Sequence, residues 1–433
     1  MKGNSHIYCL IGISTLLLCS LNGWSQFTLD AQIRPRFMVS NGYQHLIPDT
    51  VSPAFAISQR TRLSIGFENK FLKVKITPQD VRVWGSEQLA TSTGVFGNPA
   101  SFDLFEGYLE IQTGQWGWIS VGRQQLVYDS ERILAARNWN QSGIAYDAVV
   151  ARMVWGKWNF HLGGSWNTLT ELKYDNPYPT DRIKSLDFAW LNWNISSMLR
   201  ASLMHVATAV TRSDTTNPLY WKQTSGLYGE ATWKSLKCWA DVYYQYGRNA
   251  QGLPVSAFLF DINAEYAIKF FTPGLGVSYL SGNKNIGADL TTDHLFDVFY
   301  GARHKYFGYM DYFRNFHKDT KQGGLIDYFL SLKFIPLNKL TILNRIHYFQ
   351  LAQLNPSTPS CRDLALENDL VINYKFAQWG ALESGYFILL PTSGFRTMQG
   401  VEKNALAQFF YLQLTISPNL FTYSSKDSKL DQP

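Results

Sequence analysis

Beyond residue 25 the chain has no uninterrupted apolar run near the about 20 residues that a membrane-spanning helix needs, which excludes a helical membrane protein. Cysteine is nearly absent. Of four in all, Cys9 and Cys19 lie at the N-terminus, and Cys238 and Cys361 are too few for a disulfide framework. No GxSxG, HExxH or Cys-x-x-Cys pattern occurs, so no arranged nucleophile or metal-binding helix can be read and no enzyme is expected. GLGVSYLSG at 274–282 begins like a dinucleotide fingerprint but continues as an alternating strand, so its glycines ease curvature and no cofactor is implied. His294, His304 and His317 are too irregularly spaced for zinc and read as solvated loop residues. Asn283, Asn285, Asp289 and Asp293 could offer oxygen ligands to calcium, but without the spacing of an EF-type loop.

What is present starts with Lys2, the apolar run IYCLIGISTLLLCSL and then NGWSQ, with Gly23 and Ser25 as small residues at cleavage offsets. This predicts a secretory signal peptide over 1–25, cut before Gln26. An anchor is disfavoured by the shortness of the run, and LLLC lacks the small residues of a lipoprotein site. Removing Lys2 leaves 38 basic against 33 acidic residues, a mild excess that does not call for nucleic acid as a partner. The chain is 15% aromatic, with 14 Trp, 24 Tyr and 28 Phe, yet its mean hydropathy is only -0.16. Outward apolar residues alternating with inward polar ones, and aromatics gathered at two interfaces, produce this profile in a membrane β-barrel.

Alternation dominates the pattern. In QFTLDAQIRPRF, Phe27, Leu29, Ala31, Ile33, Pro35 and Phe37 share one face and Thr28, Asp30, Gln32, Arg34 and Arg36 the other. LKCWADVYYQY at 236–246 and RDLALENDLVINYKF at 362–376 split likewise, the latter setting Leu364, Leu366 and Leu370 against Asp363, Glu367 and Asp369. Tight links are expected near Asn69, Thr113–Gly117, Gly156, Ser196, Ser235, Phe271–Pro273, Pro336–Asn338 and Ala377–Trp379. Longer ones fall at 38–54, 85–101, 128–143, 169–183, 211–222, 248–255, 282–322, 353–361 and 391–402. The expected fold is all-β: a single antiparallel up-and-down barrel of about 18 strands over 26–418, with short periplasmic turns and long extracellular loops. Residues 419–433 read as a short polar periplasmic tail. A barrel this wide encloses an aqueous channel, which directs attention to its lumen.

SQRTRLSIGFENKF at 58–71, GRQQLVYDSERILAARNWNQSGIAYDAVVAR at 122–152, SYLSGNKN at 278–285 and ARHKYFGYMDYF at 302–313 resemble the alginate-export outer-membrane porin family in its Bacteroidetes-type branch. The resemblance implies a monomeric eighteen-stranded barrel in the outer membrane of a Gram-negative bacterium. It also implies a basic constriction that passes an anionic uronate polymer, with periplasmic export machinery as a further partner. The polar tail and the loop segment GADLTTDHLFDVFYG depart from the family pattern, and whether that loop plugs the pore stays open.

In the second block Arg123, Arg132 and Arg137 cluster, and Arg152 follows. These are the main candidates for lining a constriction, because guanidinium presents a planar fork that matches carboxylates and stays charged. Arg34, Arg36, Arg60, Arg62, Lys73 and Lys75 fall on inward faces and add a positive wall. The alternative is structural: Asp129, Glu131 and Asp147 stand close enough in sequence to pair with these arginines and merely hold loops in place. Trp139 and Tyr128 read as packing or girdle residues before sugar platforms. The expected function is passive, anion-selective passage of a negatively charged saccharide or polysaccharide. A general or small-anion uptake porin, a loop-plugged binding or adhesion barrel and a barrel enzyme are the alternatives.

Overall fold

A computed structural model describes residues 25–85, 101–171, 178–213, 216–404 and 406–425. The leader through residue 24, most of the 85–101 link and the last eight residues of the expected tail lie outside the described residues. The strands are β1 Ser25–Asn41, β2 Ala54–Asn69, β3 Leu72–Val83, β4 Ser101–Thr113, β5 Gly117–Gln124 and β6 Tyr146–Trp155. There follow β7 Trp158–Trp166, β8 Ser185–Asn194, β9 Leu199–Ser213, β10 Thr216–Trp233, β11 Leu236–Arg248, β12 Pro254–Tyr266 and β13 Phe271–Leu280. The last are β14 Leu325–Leu337, β15 Leu340–Gln350, β16 Asp363–Ala377, β17 Gly380–Pro391, β18 Ala407–Ile416 and β19 Asn419–Ser424.

Each strand pairs antiparallel with its sequence neighbour, and β1 closes the ring against both β18 and β19. β18 and β19 are two pieces of one strand interrupted at Ser417 and Pro418, so the wall is a closed 18-stranded barrel. Closure removes every free strand edge, as hydrocarbon requires. Residues 419–424, expected in the tail, therefore complete the wall: Gln26 to Asp30 needed partners, and Asn419 to Ser424 supply them.

Two expected links moved. Residues 211–222 are not a long loop, because Thr211 pairs with Leu219 and Val210 with Tyr220, extending β9 and β10 to either side of residues 214–215. The reversal expected at Phe271–Pro273 lies at 267–270, and Thr272 already pairs with Lys333. Leu364, expected on the greasy face, is buried at a register shift in the β15–β16 ladder.

The usual distribution of polarity is inverted. Ile33, Leu63, Val149, Leu203, Ile262 and Leu275 stand exposed on the outside, while Arg34, Arg60, Asp241, Asp261, Asp327 and Glu367 are buried inside. Phe71, Trp116, Trp155, Trp233, Phe270 and Trp379 are exposed beside the short turns, the girdle expected where barrel meets headgroups. Among the described residues no helix is long and apolar enough to cross a membrane. The strands do the crossing.

Candidate functional site: two infolded loops in the lumen

Two long loops fold into the barrel instead of standing above it. The loop 125–145 carries Leu126, Ile133, Leu134 and Ala135, and the loop 281–324 carries Phe296, Val298, Phe307, Met310, Phe313 and Phe316, all nearly inaccessible to solvent. Burying these side chains against each other and the wall favours the infolded state. The loops also clasp each other directly. Leu134 and Tyr300 form a parallel bridge, the Ala302 amide donates to the Glu131 carbonyl at 2.9 Å, and Arg137 donates to the carbonyls of Phe299 (2.6 Å), Tyr300 (3.1 Å) and Gly301 (3.1 Å).

Arginines of β1 and β2 hold one stretch of the 125–145 loop, and carboxylates of β16 hold one stretch of the 281–324 loop. Arg34 donates to Gln141 Oε1 at 2.9 Å and to the carbonyls of Asn138 (2.9 Å) and Asn140 (3.1 Å). Arg36 reaches the Trp139 carbonyl at 2.8 Å, Arg60 the Asn138 Oδ1 at 3.0 Å and Arg62 the Ser142 carbonyl at 3.0 Å. These acceptors are neutral. On the far wall, Glu367 accepts from the Met310 amide at 2.8 Å and Asp369 from the Tyr309 amide at 3.0 Å. Such donors compensate a buried carboxylate. Gly308 allows this approach: its φ is +78°, and a Cβ there would lie 2.4 Å from Glu367 Oε1.

The residues singled out from the sequence separate into groups. Arg34, Arg36, Arg60, Arg62, Lys73 and Lys75 sit in β1–β3 at the lumen-facing positions, and the first three are buried. Lys73 pairs with Glu68 at 3.1 Å and Lys75 with Glu106 at 2.7 Å. Arg152 is held by Glu110 at 2.7 Å and Gln124 at 2.9 Å. Arg132 lines no passage. It is 2% exposed, its Nε donates to Asp261 at 2.8 Å, another nitrogen donates to Ser278, and it lies 3.5 Å from the Tyr306 ring centroid.

Arg123 lies on the outer wall, on the face that exposes Ile119, Val121 and Val149, and it grips Asp147 at 2.8 and 2.9 Å. This position is one residue from the upper end of β5, at the rim. There a charge on the lipid face costs about 0–1 kcal/mol, against about 2–4 at the midplane. Arg123→Ala is expected to leave conductance and ion preference in a planar bilayer unchanged. A shifted reversal potential would contradict its outward placement.

Of the three expected counter-charges, Asp147 alone meets one of those arginines. Asp129 accepts from Trp190 at 2.9 Å and Ser202 at 2.7 Å, and Glu131 faces Lys305 at 3.2 Å. Asn283, Asn285, Asp289 and Asp293 do not gather as ligands: Asn283 donates to Asp293 at 3.0 Å, while Asn285 and Asp289 stand exposed. Among the described residues no cluster suited to a metal occurs. His304 is not a solvated loop residue either. It stacks on Trp139 at 3.9 Å and on Tyr309 at 4.7 Å, with Arg36 3.7 Å from the Trp139 centroid. Asp311 fixes the imidazole at 3.0 Å and also accepts from Tyr43.

Between the two loops lies a cavity of about 370 Å³, lined by loop residues that include Arg137, Arg303, Lys305 and Arg314 against Glu131 and Asp311. The last three of these cations were not singled out by the sequence reading, although ARHKYFGYMDYF contains two of them. Arg303 donates to the Phe299 carbonyl at 2.9 Å and to the Arg314 carbonyl. Like Arg137, it makes its hydrogen bonds to backbone oxygens. Burial lowers the Arg137 pKa from the ordinary guanidinium value, and burial together with the nearby Arg137 charge lowers that of Arg303. Guanidinium stays charged in the working pH range all the same. The cavity thus carries four basic side chains against two carboxylates.

Comparison with known proteins bears on the whole barrel. The crystal structure of OccAB1 from Acinetobacter baumannii aligns with TM-score 0.62 at 12% identity, covering 91% of this chain and 97% of that one. OccK3 (OpdO) from Pseudomonas aeruginosa aligns with TM-score 0.61 at 10% identity over 91% and 96%. OccK1 (OpdK) of the same organism gives 0.58 at 9% over 91% and 99%. At these identities the likeness is one of fold. The chain has no match among curated protein sequences. Residues 26–360 match the family model described as alginate export. On that match, and with a closed lipid-facing barrel around its lumen, the chain belongs to the alginate export family and is an outer-membrane channel protein.

Proposed function

We propose that this channel gives passive, anion-selective passage to a negatively charged saccharide or polysaccharide, as the family's description suggests, through the constriction between the two infolded loops. One observation carries the reading: Arg137 and Arg303 flank the cavity with their guanidinium groups hydrogen-bonded to backbone carbonyls and not to a carboxylate among the described residues, so the nearby Asp297 offsets their charge only in part. Arg34, Arg36, Arg60 and Arg62 add positive charge behind the 138–142 segment. In a narrow passage with low-dielectric walls, such charges concentrate anions, and several moderate sites let each anion leave again. Trp139 and His304 give the passage a flat edge beside the cations. Direction follows the gradient or periplasmic partners, and no cofactor enters the cycle.

Reversal potential in a salt gradient tests this reading, with oligouronate added as a blocker. Anion preference and block by oligouronate are expected. A second reading, the loop-plugged binding barrel, draws support from the apolar residues that the 281–324 loop brings into the lumen. It predicts no steady current.

A further inference from the structure

Beneath the clasp, toward the short turns, lies a second cavity of about 250 Å³. Its walls include Arg200 and Lys237, each the second residue of its strand above a periplasmic turn, and Arg345 from the middle of β15. Lys305 lines this cavity as well as the one inside the clasp, and it is the one described residue common to both linings. Its ammonium lies 3.2 Å from Glu131 and donates to the Ser130 carbonyl at 3.1 Å, with its side chain half-exposed. Arg345 holds the Lys305 carbonyl at 3.1 Å, and Arg345 Nε is buried without a hydrogen-bond partner.

We infer that Lys305 is the transfer residue between two consecutive anion sites, one around Arg137 and Arg303 and the other around Arg345, Arg200 and Lys237, with Glu131 as the competing charge that closes the step. The inference rests on the anion-channel reading and locates its internal step. An ion pair as exposed as Lys305–Glu131 is weak, so an arriving carboxylate displaces Glu131 readily. Lysine fits the task because its compact charge rides on a flexible stem with rotatable donors, whereas an arginine fork is held in one plane. The lower cavity can receive what Lys305 delivers. Glu230 offsets Arg200 at 3.1 Å and Lys237 at 3.4 Å, yet Arg345 has no carboxylate among its hydrogen bonds.

The test passes sodium glucuronate through the refolded full chain in a planar bilayer. Lys305→Met is expected to cut the saturating glucuronate current about tenfold while the reversal potential keeps its anionic sign, since Arg137 and Arg303 remain. Lys305→Arg should recover part of that current, and Glu131→Gln should raise the current at low glucuronate several-fold. Undiminished current in Lys305→Met with anion preference intact overturns the transfer role and leaves the channel reading standing. Absence of anion preference in the wild type overturns the channel reading, and this inference with it. Should Lys305→Met fail to fold, an unchanged current in Glu131→Gln overturns the gating step by itself.

Discussion

Replacing Arg137 and Arg303 together by alanine is expected to remove most of the anion preference of the open channel. A unit charge about 8 Å from a permeating ion contributes about 2 kcal/mol at an effective dielectric near 20. That energy corresponds to a roughly 30-fold change in local anion concentration, by the rule of about 1.4 kcal/mol per tenfold. Salt screens the effect, with a Debye length of about 30 Å at 0.01 M and about 3 Å at 1 M. The anion-to-cation permeability ratio should therefore fall on the order of tenfold in dilute salt and change little in concentrated salt. Retention of Arg34, Arg36, Arg60 and Arg62 keeps the loss short of complete. The double variant also removes the clasp bonds from Arg137 to the 299–301 carbonyls. Replacing both arginines by glutamine, which keeps donors but no charge, separates the two effects: lost preference with normal conductance assigns the effect to charge.

Arg132→Ala is expected to act through structure instead. Arg132 and Asp261 are both buried, at 2% and 0% exposure, and removing one member of a buried pair costs about 3–5 kcal/mol because the other charge is left unpaired. Asp241 stands close by and holds Ser130 at 2.8 Å, so the abandoned Asp261 also faces another carboxylate across the β11–β12 ladder. The 125–145 loop loses its buried ion pair with the wall. Single-channel records should show flickering between a small and a larger conductance, and the barrel should unfold in less denaturant than the wild type. Adding Asp261→Asn to Arg132→Ala should recover part of the stability, since Asp241, held by Ser130, is then the one carboxylate of the pair that remains. A double variant as unstable as the single one would show that the loss arises elsewhere.

These two outcomes mark the limit of what sequence could reveal. The barrel was legible because its side chains alternate with a period of two and the polarity is inverted, so Arg34 and Ile33 declare opposite faces without a partner in view. Strand ends were less legible. Thr211 and Val210 are strand-formers, but the polar cluster RSDTTN obscured their pairing with Leu219 and Tyr220. The loops were legible only as charged. That Arg132 meets Asp261, 129 residues away, depends on how far a loop descends into the lumen, and no local pattern encodes that depth. Glu367 and Asp369 read as inward polar residues, but the amides of Met310 and Tyr309 that they hold cannot be found by pairing charges along the sequence. Arg123 misled because it shares a segment with Arg132 and Arg137, yet its strand position turns it outward. Arg303 and Lys305 lay within a stretch recognised as characteristic, where counting cations would have found them.

At the centre stands the proposal that positive charge between the infolded loops, offset only in part by carboxylates, selects anions. It is tested most directly by the reversal potential of the refolded wild-type barrel across a tenfold gradient of potassium chloride, with oligouronate then added to one side. The account predicts a potential of the sign set by chloride and a current that oligouronate reduces. A potential of cationic sign, or one near zero in a current indifferent to oligouronate, would contradict it.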